Sequence, residues 1–210
     1  MANITLYGTP VSTYVRTVRL LLAYARIDYE IKDIGIFNGD NETDEYLNKN
    51  PFGKVPTVDF EGELVYETDA ITFYINEKYA NSQYSPSDLL LKARMYQIAS
   101  IVNSYLYTPV IGQIVIQNLI VPQQGGEPNQ TLIENAIAPA AQALKAIEDI
   151  VVDGSYLLGD SITIADFYLI PIFIYLQETP QFDTLTEQTP KLKAWWTHAQ
   201  DLETVKEICS

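Results

Sequence analysis

Short segments in which apolar and polar residues alternate predict four β-strands in the first third of the chain. They lie around Ile4 and Leu6 and over 29–34, 57–60 and 63–66. The dipeptide Glu61-Gly62 separates the last two strands and is typical of a tight hairpin. Apolar residues at helical spacing predict one helix over 13–25 and another over 70–78.

This order of elements predicts an α/β module built on a small mixed sheet. A helix joins the first two strands, so we expect them to pair in parallel, whereas the two hairpin strands must be antiparallel. The module therefore has the order βαβ followed by ββα, with its helices packed on the sheet.

The remainder of the chain shows helical periodicity and no strand alternation. Helices are predicted over 88–120, 130–151, 163–177 and 189–201. A stretch rich in Pro, Gln and Gly, over 121–128, separates the first two. We therefore predict an α/β domain over 1–80, a linker over 81–87 and an all-helical domain over 88–210.

The composition limits the chemistry that is available. The chain carries 13 Lys and Arg against 27 Asp and Glu, a net charge of −14, which disfavours nucleic acid and anionic membrane surfaces as partners. One Cys (Cys209) and one His provide neither an internal disulfide nor a zinc site. The first residues lack the pattern of a signal peptide, and no apolar stretch is long enough to span a bilayer. We expect a cytoplasmic protein that binds no metal, no nucleic acid and no membrane.

Residues that could carry chemistry lie in the first module. Ser12 is placed as the N-cap of the first helix, where its hydroxyl could also face an anion at the positive end of the helix dipole. Thr68, preceded by Glu67, repeats this arrangement before the second helix. Pro56 is either an edge residue of the next strand or a cis-proline that turns the backbone of Val55 outward.

A capping motif marks a helix start in the second module. Thr163 is placed as N-cap and Asp166 at the third helical position, which resembles a capping box. Ile162 and Phe167 occupy the positions of a hydrophobic staple. We interpret this motif as a folding device and assign Asp166 no catalytic role.

Four segments together resemble the cytosolic glutathione transferases, and the resemblance covers nearly the whole chain. They are Pro10-Val11-Ser12-Thr13, Asn50-Pro51-Phe52-Gly53-Lys54-Val55-Pro56, Glu67-Thr68-Asp69 with Ala70-Ile71, and Thr163-Ile164-Ala165-Asp166. The run NPFGKVP followed by ETDAI is the specific part. The resemblance implies a serine-type, phi- or theta-like enzyme with a thioredoxin-like N-terminal domain and an all-α C-terminal domain. This agrees with the two domains predicted from the pattern.

The resemblance assigns roles in binding and activating glutathione. Ser12 matches the catalytic hydroxyl, which donates a hydrogen bond to the glutathione sulfur and lowers the pKa of that thiol from a free value of about 8.5. The backbone of Val55, held by the following cis-proline, would pair with the cysteinyl part of glutathione. Glu67 would attract the γ-glutamyl ammonium, Thr68 would hold its carboxylate, and Lys54 would contact the glycyl side.

The chain departs from the family pattern in the acidic loop over 41–44. Serine-type relatives often place His or Lys there for the glycine carboxylate, so Lys54 would carry that contact alone. We therefore expect modest glutathione affinity, weaker than the low micromolar range. Tyr7 is an alternative activating residue, but alignment of the following helix places the tyrosine of the tyrosine-type classes on Gly8. No Cys lies near Ser12, which argues against the cysteine-type classes.

The resemblance also implies a second substrate and a partner subunit. An apolar electrophile would bind between the domains, against the first long helix of the helical module. We expect Tyr14, Tyr105 and Ile111 to line this pocket, although such a stripe is also typical of a core. In the implied homodimer, Phe52 is either an aromatic key inserted into the partner or a buried anchor of its own loop.

The favoured function is conjugation of the glutathione thiolate to apolar electrophiles in detoxification, with glutathione as co-substrate. Two alternatives on the same fold stay open: a non-catalytic binding or regulatory module, and a glutathione-dependent peroxidase or isomerase. Turnover of a generic aromatic electrophile distinguishes the first function from the second. Peroxide turnover without conjugation would indicate the third.

Overall fold

The computed structural model describes residues 3–210 and begins with a four-stranded sheet in the spatial order β2-β1-β3-β4. The strands are β1 (Ile4–Tyr7), β2 (Glu30–Lys32), β3 (Thr57–Phe60) and β4 (Glu63–Tyr66). β1 pairs with β2 in parallel and with β3 in antiparallel orientation, and β3 pairs with β4 in antiparallel orientation. The predicted mixed sheet is confirmed, although β2 is shorter than the predicted strand over 29–34.

The hairpin between β3 and β4 turns through Glu61 and Gly62, whose φ angles are 59° and 103°. Two consecutive residues with positive φ form the primed two-residue turn, whose twist matches that of the flanking strands. The Gly62 N–H donates to Asp59 Oδ1 at 2.6 Å, which stabilises the turn. The expected tight hairpin is confirmed.

Two helices of this unit pack against each other: α1 (Thr13–Tyr24) and α3 (Thr68–Tyr79). α1 begins directly after Ser12, as its capping position predicts. α3 begins two residues before the predicted helix over 70–78, so Thr68 is its first residue. The expectation that Thr68 is an N-cap is therefore wrong: Glu67 holds that position, with a φ of 69° and no side-chain capping bond.

The loop between β2 and β3 contains a 3-10 turn, Asp40–Glu42, and the four-residue helix α2 (Asp44–Leu47). Thr43 caps α2, because its Oγ1 accepts a hydrogen bond from the Tyr46 N–H at 3.3 Å. Periodicity does not predict α2, since a single turn has too few residues to show a repeat. α2 matters because it carries the buried side chain of Tyr46.

The second unit is all-helical. α4 (Leu89–Ile101) continues through the π-helical segments Val102–Leu106 and Thr108–Ile120 into α5 (Val121–Gln123). α6 (Gln130–Glu148), α7 (Ile164–Leu176), α8 (Phe182–Thr186) and α9 (Pro190–Ala199) follow. All the helical segments predicted from periodicity are present, and α8 is a short helix that periodicity does not predict.

Within residues 3–210, no single helix is long and apolar enough to cross a membrane. Leu89–Leu106 and Thr108–Gln123 reach the required length and apolarity only as a pair, and they are bent by 52°. Pro109 lies at the bend, where its missing N–H removes a backbone hydrogen bond. Met95 and Ile114, one on each half, are fully buried, as expected of a core helix.

The buried Asp166 carboxylate fixes the N-terminus of α7. Its Oδ2 accepts hydrogen bonds from the N–H and the hydroxyl of Thr163, at 2.8 and 2.9 Å. Its Oδ1 accepts bonds from Leu157 N–H and Trp195 Nε1, both at 2.9 Å. The predicted capping box is confirmed, and the same carboxylate also ties α7 to α9 and to the preceding loop.

A second buried carboxylate fixes the N-terminus of α9 from a distant helix. Glu148, at the end of α6, accepts hydrogen bonds from the Lys191 N–H at 3.0 Å and from the Leu192 N–H at 2.9 Å. These N–H groups lie in the first turn of α9, where a helix offers donors that have no partner within the helix. Glu148 therefore acts as a long-range cap.

Contacts divide the chain into a unit that ends at Tyr84 but includes Glu203–Ser210, and a unit over Ser85–Leu202. The first boundary lies inside the predicted linker over 81–87. The helix α10 (Glu203–Cys209) belongs to the first unit, whereas the sequence assigns it to the helical domain over 88–210. The reason is that α10 packs on α1, where Arg19 Nη1 donates to the Ile208 carbonyl at 3.1 Å.

Candidate functional site

The sheet topology brings the candidate glutathione residues to one edge of the first unit. Tyr7, which ends β1, is paired with Thr57, which begins β3, and Thr57 is paired with Tyr66, which ends β4. The three loops at this edge carry Ser12, Lys54 with Val55, and Glu67 with Thr68. Residues that are distant in sequence therefore meet at the same end of the sheet.

Gly8 allows the loops of this edge to approach closely. A β-carbon on Gly8 would lie 2.5 Å from a Val15 methyl and 3.3 Å from the Val55 β-carbon. Its φ of 158° is also one that side chains with a β-carbon rarely adopt. The first turn of α1 and Val55 are thus neighbours across Gly8.

Ser12 is half-buried at the N-terminus of α1. Its Oγ accepts a long hydrogen bond from the Val15 N–H at 3.5 Å, so the hydroxyl proton points elsewhere. Among residues 3–210, the hydroxyl donates no hydrogen bond to another group. The first turn of α1 also contains no acidic side chain that would repel an anion. The arrangement can therefore donate a hydrogen bond to an anion at the positive end of the helix dipole.

The loop over 52–56 contains the cis peptide bond Val55–Pro56, which decides between the two alternatives left open for Pro56. Val55 is half-buried and Lys54 is exposed. Within the described chain, neither backbone polar group of Val55 is engaged in a backbone hydrogen bond. Both are therefore open to pairing with an extended ligand.

Glu67 and Thr68 stand at the N-terminus of α3. Glu67 is exposed and Thr68 is nearly buried. The N–H groups in the first turn of a helix have no partner within that helix, so this end suits a carboxylate. The exposed Glu67 carboxylate beside it suits an ammonium group. An α-amino acid group carries both charges: its carboxylate matches the N-terminus of α3, and its ammonium matches Glu67.

Tyr7 ends β1 at the same edge of the sheet, but its ring faces other groups. Its ring lies beside two ammonium groups, with Lys32 Nζ at 5.6 Å and Lys49 Nζ at 5.3 Å from the ring centroid. It lines a cavity of about 330 Å³ together with Asp33, Asp40 and Tyr46, among others. None of the candidate glutathione residues lines this cavity, which favours Ser12 over Tyr7 as the activating residue.

The three residues expected to contact the electrophile differ in exposure and in what surrounds them. Tyr14 is half-buried in the first unit. Tyr105 is 67% exposed and lines an apolar groove of about 350 Å³ with Ile101, Pro139 and Ala143, among others. Ile111 does not line this groove and is only 7% exposed, so it contributes mainly to the core of the second unit.

Phe52 is 65% exposed, and its ring makes an edge contact with Tyr66 at a centroid distance of 6.0 Å. The alternative that Phe52 is a buried anchor of its own loop is therefore wrong, because the loop is held by polar contacts instead. Asn50 Oδ1 accepts a bond from the Phe52 N–H at 3.0 Å, and Asn41 Nδ2 donates to the Gly53 carbonyl at 2.9 Å. Pattern analysis does not identify this use of Asn41.

Cys209 is buried in α10. Burial raises the pKa of its thiol to about 11, although the charges of Arg16 and Arg19 act in the opposite direction. Cys209 therefore remains a thiol at neutral pH, and a reactive thiolate must come from a bound molecule.

Both parts of the chain match known proteins. Residues 6–83 match the N-terminal domain of glutathione S-transferases, and residues 106–203 match their C-terminal domain. Glutathione S-transferase 1 of wheat (Triticum aestivum) is 30% identical over 100% of this chain and 94% of its own length.

The chain is also similar to solved structures of glutathione transferases. Glutathione transferase F7 from Populus trichocarpa has a TM-score of 0.84 and 29% identity, covering 98% of this chain and 97% of its own. Glutathione S-transferase I from maize, in complex with an atrazine glutathione conjugate, has a TM-score of 0.82 and 26% identity, covering 99% and 97%. The relatives include plant transferases of the F series, so the expected likeness to the serine-type classes is confirmed. The chain belongs to the glutathione S-transferase family.

Proposed function

We propose that this glutathione transferase uses the Ser12 hydroxyl to hold the glutathione sulfur as a thiolate. The observation that supports the proposal is the placement of Ser12: its unused hydroxyl proton lies at the N-terminus of α1, the helix whose first turn approaches Val55 across Gly8. A hydrogen bond and a helix dipole both favour the ionised form of a thiol, so they lower its pKa. The thiolate, and not the thiol, is the nucleophile.

The remaining glutathione contacts follow from the same edge of the sheet. The open N–H and carbonyl of Val55 pair with the cysteinyl backbone, as an added strand would. Glu67 attracts the γ-glutamyl ammonium, and Thr68 with the start of α3 holds the adjacent carboxylate. Lys54, which is exposed, contacts the glycyl carboxylate.

The electrophile is proposed to be apolar. Support comes from the maize relative, which is described with a conjugate of atrazine and glutathione. Attack by a bound thiolate on a bound electrophile gains rate from proximity as well as from ionisation. Tyr14 stays a proposed contact, whereas Tyr105, with the groove that it lines, is assigned to the dimer interface proposed below, and Ile111 belongs mainly to the core of the second unit. We also propose a cytoplasmic role in detoxification, which suits an acidic chain whose one thiol is buried and free.

A glutathione titration tests binding and activation together. We expect a thiolate absorbance to appear on binding near neutral pH, with a Kd above the low micromolar range. The reason for modest affinity is that Asn41, in the loop where relatives often place a cation, binds the Gly53 carbonyl instead. A Kd in the low micromolar range would contradict the affinity prediction. Binding without a thiolate signal, together with no turnover of an aromatic electrophile, would indicate a non-catalytic module instead.

The transferase is proposed to be a homodimer in which Phe52 enters the groove at Tyr105 of a second copy. The groove is lined mainly by apolar groups, from Ile101, Tyr105, Pro139 and Ala143 among others, and both Phe52 and Tyr105 are more than half exposed. An exposed aromatic side chain and an apolar groove each gain free energy when water is excluded from them.

Phe52→Ala is expected to weaken the dimer without unfolding the subunit. Burial of a Phe side chain contributes about 2–3 kcal/mol, and a symmetric dimer loses two such contacts, so the dimer Kd should rise roughly 10³- to 10⁴-fold, as measured by sedimentation equilibrium. Ala146→Glu, which places a charge in the groove, should have a similar effect. Phe37→Ala is the matched control, because Phe37 is 62% exposed and should leave the dimer unchanged. Equal effects of Phe37→Ala and Phe52→Ala would contradict the proposed interface.

A further inference from the structure

A buried chain of hydroxyl groups holds the loop that carries Lys54 and Val55. Tyr46 Oη donates to the Lys54 carbonyl at 2.7 Å and lies 3.1 Å from Thr57 Oγ1. A phenol has one proton, and a carbonyl can only accept. The Tyr46 proton therefore goes to Lys54, and Thr57 donates its own proton to Tyr46. Tyr46 is only 2% exposed, so water does not compete for these bonds.

The Lys54 carbonyl is held from two sides. Asn50 Nδ2 also donates to it, at 2.8 Å, so both of its lone pairs are used. One donor comes from α2 and the other from the loop itself. The carbonyl is thus fixed in direction as well as in position.

The planarity of the peptide unit transmits this orientation to Val55. The Lys54 carbonyl and the Val55 N–H belong to one peptide unit, which is planar, and this one is trans. In a trans peptide the N–H points away from the carbonyl. When Tyr46 and Asn50 draw the carbonyl toward the interior, the Val55 N–H must point the other way, toward a ligand.

We propose that Tyr46 is a positioning residue for glutathione, which aims the Val55 N–H at the cysteinyl backbone through the Lys54 carbonyl. This inference rests on the proposed function of the site. The hydrogen bonds of the Tyr46 hydroxyl go to Lys54 and Thr57 and not to Ser12, so we expect it to act on binding and not on the chemical step. Burial, outweighing the hydrogen bond from Thr57, raises the pKa of Tyr46, so its hydroxyl keeps the proton that it donates.

Tyr46→Phe tests the proposal, because it removes one oxygen and keeps the ring. We expect the Kd and KM for glutathione to rise about five- to tenfold, the size of one lost hydrogen bond, while kcat at saturating glutathione stays unchanged. Without glutathione, amide hydrogen exchange over residues 52–55 should become faster. This second readout does not depend on ligand binding, and it remains available if affinity is too weak to measure.

Two further variants separate positioning from general loss of stability. Thr186→Val removes another buried hydroxyl, which donates to the Phe182 carbonyl at 2.8 Å in the second unit, and it should leave the Kd unchanged. Thr57→Val removes only the donor to Tyr46, and it should raise the Kd less than Tyr46→Phe does.

The possible failures are distinguishable. If the wild type does not bind glutathione, the proposed function is wrong, and this inference is wrong with it. If the wild type binds and Tyr46→Phe leaves both the Kd and the exchange of residues 52–55 unchanged, only this inference is overturned. A drop in kcat with unchanged KM would likewise overturn it, because that result would place Tyr46 in the chemical step.

Discussion

Ser12→Ala is expected to lower kcat/KM for conjugation by up to about 100-fold at pH 6.5, because it removes the donor that holds the bound thiol in its ionised form. The alanine variant would return the bound thiol toward its free pKa of about 8.5. At pH 6.5 such a thiol is only about 1% ionised. The wild type, whose bound thiol has a lowered pKa, would already be largely ionised.

The pH dependence of kcat/KM tests whether Ser12 acts on the ionisation of the bound thiol. Activity that depends on a thiolate rises as the pH passes the thiol pKa and then levels off. The wild-type profile should level off near neutrality, and the Ser12→Ala profile should continue to rise through about pH 8.5. The two rates should therefore converge as the pH increases. A constant ratio at every pH would indicate that Ser12 acts on something other than thiol ionisation.

Loss of the helix cap must be separated from loss of the hydroxyl donor. Ser12→Ala also removes an N-cap, at a cost of about 1 kcal/mol in stability. Asp88→Ala is the matched control, because Asp88 caps α4 by accepting the Leu91 N–H at 2.9 Å. It should cost similar stability and leave kcat/KM unchanged. If Ser12→Ala keeps both turnover and thiol pKa, Ser12 is the wrong residue, and Tyr7→Phe becomes the next variant to measure.

Elements in which apolar residues recur at a regular spacing are predictable from sequence. Elements that are too short to show such a repeat are not. α1 and the β3–β4 hairpin follow their patterns closely, because each buries one face and has a clear start or turn. α2 has a single turn and therefore no repeat. The start of α3 is predicted too late, because Glu67 holds the cap position with a positive φ that no residue type there signals.

Long-range contacts account for most of the other features that the sequence does not predict. α10 packs on α1 through groups such as Arg19 and Ile208, which are far apart in the chain. No local pattern reports that pairing. Similarly, the sequence places Ser12 and Val55 in the candidate site through resemblance, but it gives no sign that Tyr46 holds the Lys54 carbonyl. The cis Val55–Pro56 bond is one of two alternatives in the sequence, and only the structure decides between them.

Asp166→Ala is expected to destabilise the second unit by about 3–9 kcal/mol. The substitution leaves the N–H groups of Leu157 and Thr163 and the indole N–H of Trp195 without their acceptor, and all three bonds are buried. Each unsatisfied buried donor costs roughly 1–3 kcal/mol. Since domains are stable by only about 5–15 kcal/mol, a loss of this size removes a large part of the total.

Urea unfolding followed by tryptophan fluorescence measures this effect selectively. The chain has two Trp residues, Trp195 and Trp196, and both lie in α9 of the second unit. Asp160→Ala is the matched control, because Asp160 is an exposed carboxylate in the same stretch of chain and should shift the midpoint little. The comparison separates loss of a buried acceptor from loss of one negative charge.

Asp166→Asn refines the prediction, because the two carboxylate oxygens have different partners. Oδ1 accepts from Leu157 and Trp195, and an asparagine carbonyl placed there can keep both bonds. Oδ2 accepts from the N–H and hydroxyl of Thr163, and an amide NH₂ there would face the N–H as a second donor. Burial raises the pKa of Asp166, with the four hydrogen bonds acting in the opposite direction, so Asn also avoids a buried charge. Its destabilisation should therefore be clearly smaller than that of Ala. Equal losses for Asn and Ala would contradict the assignment of separate roles to the two oxygens.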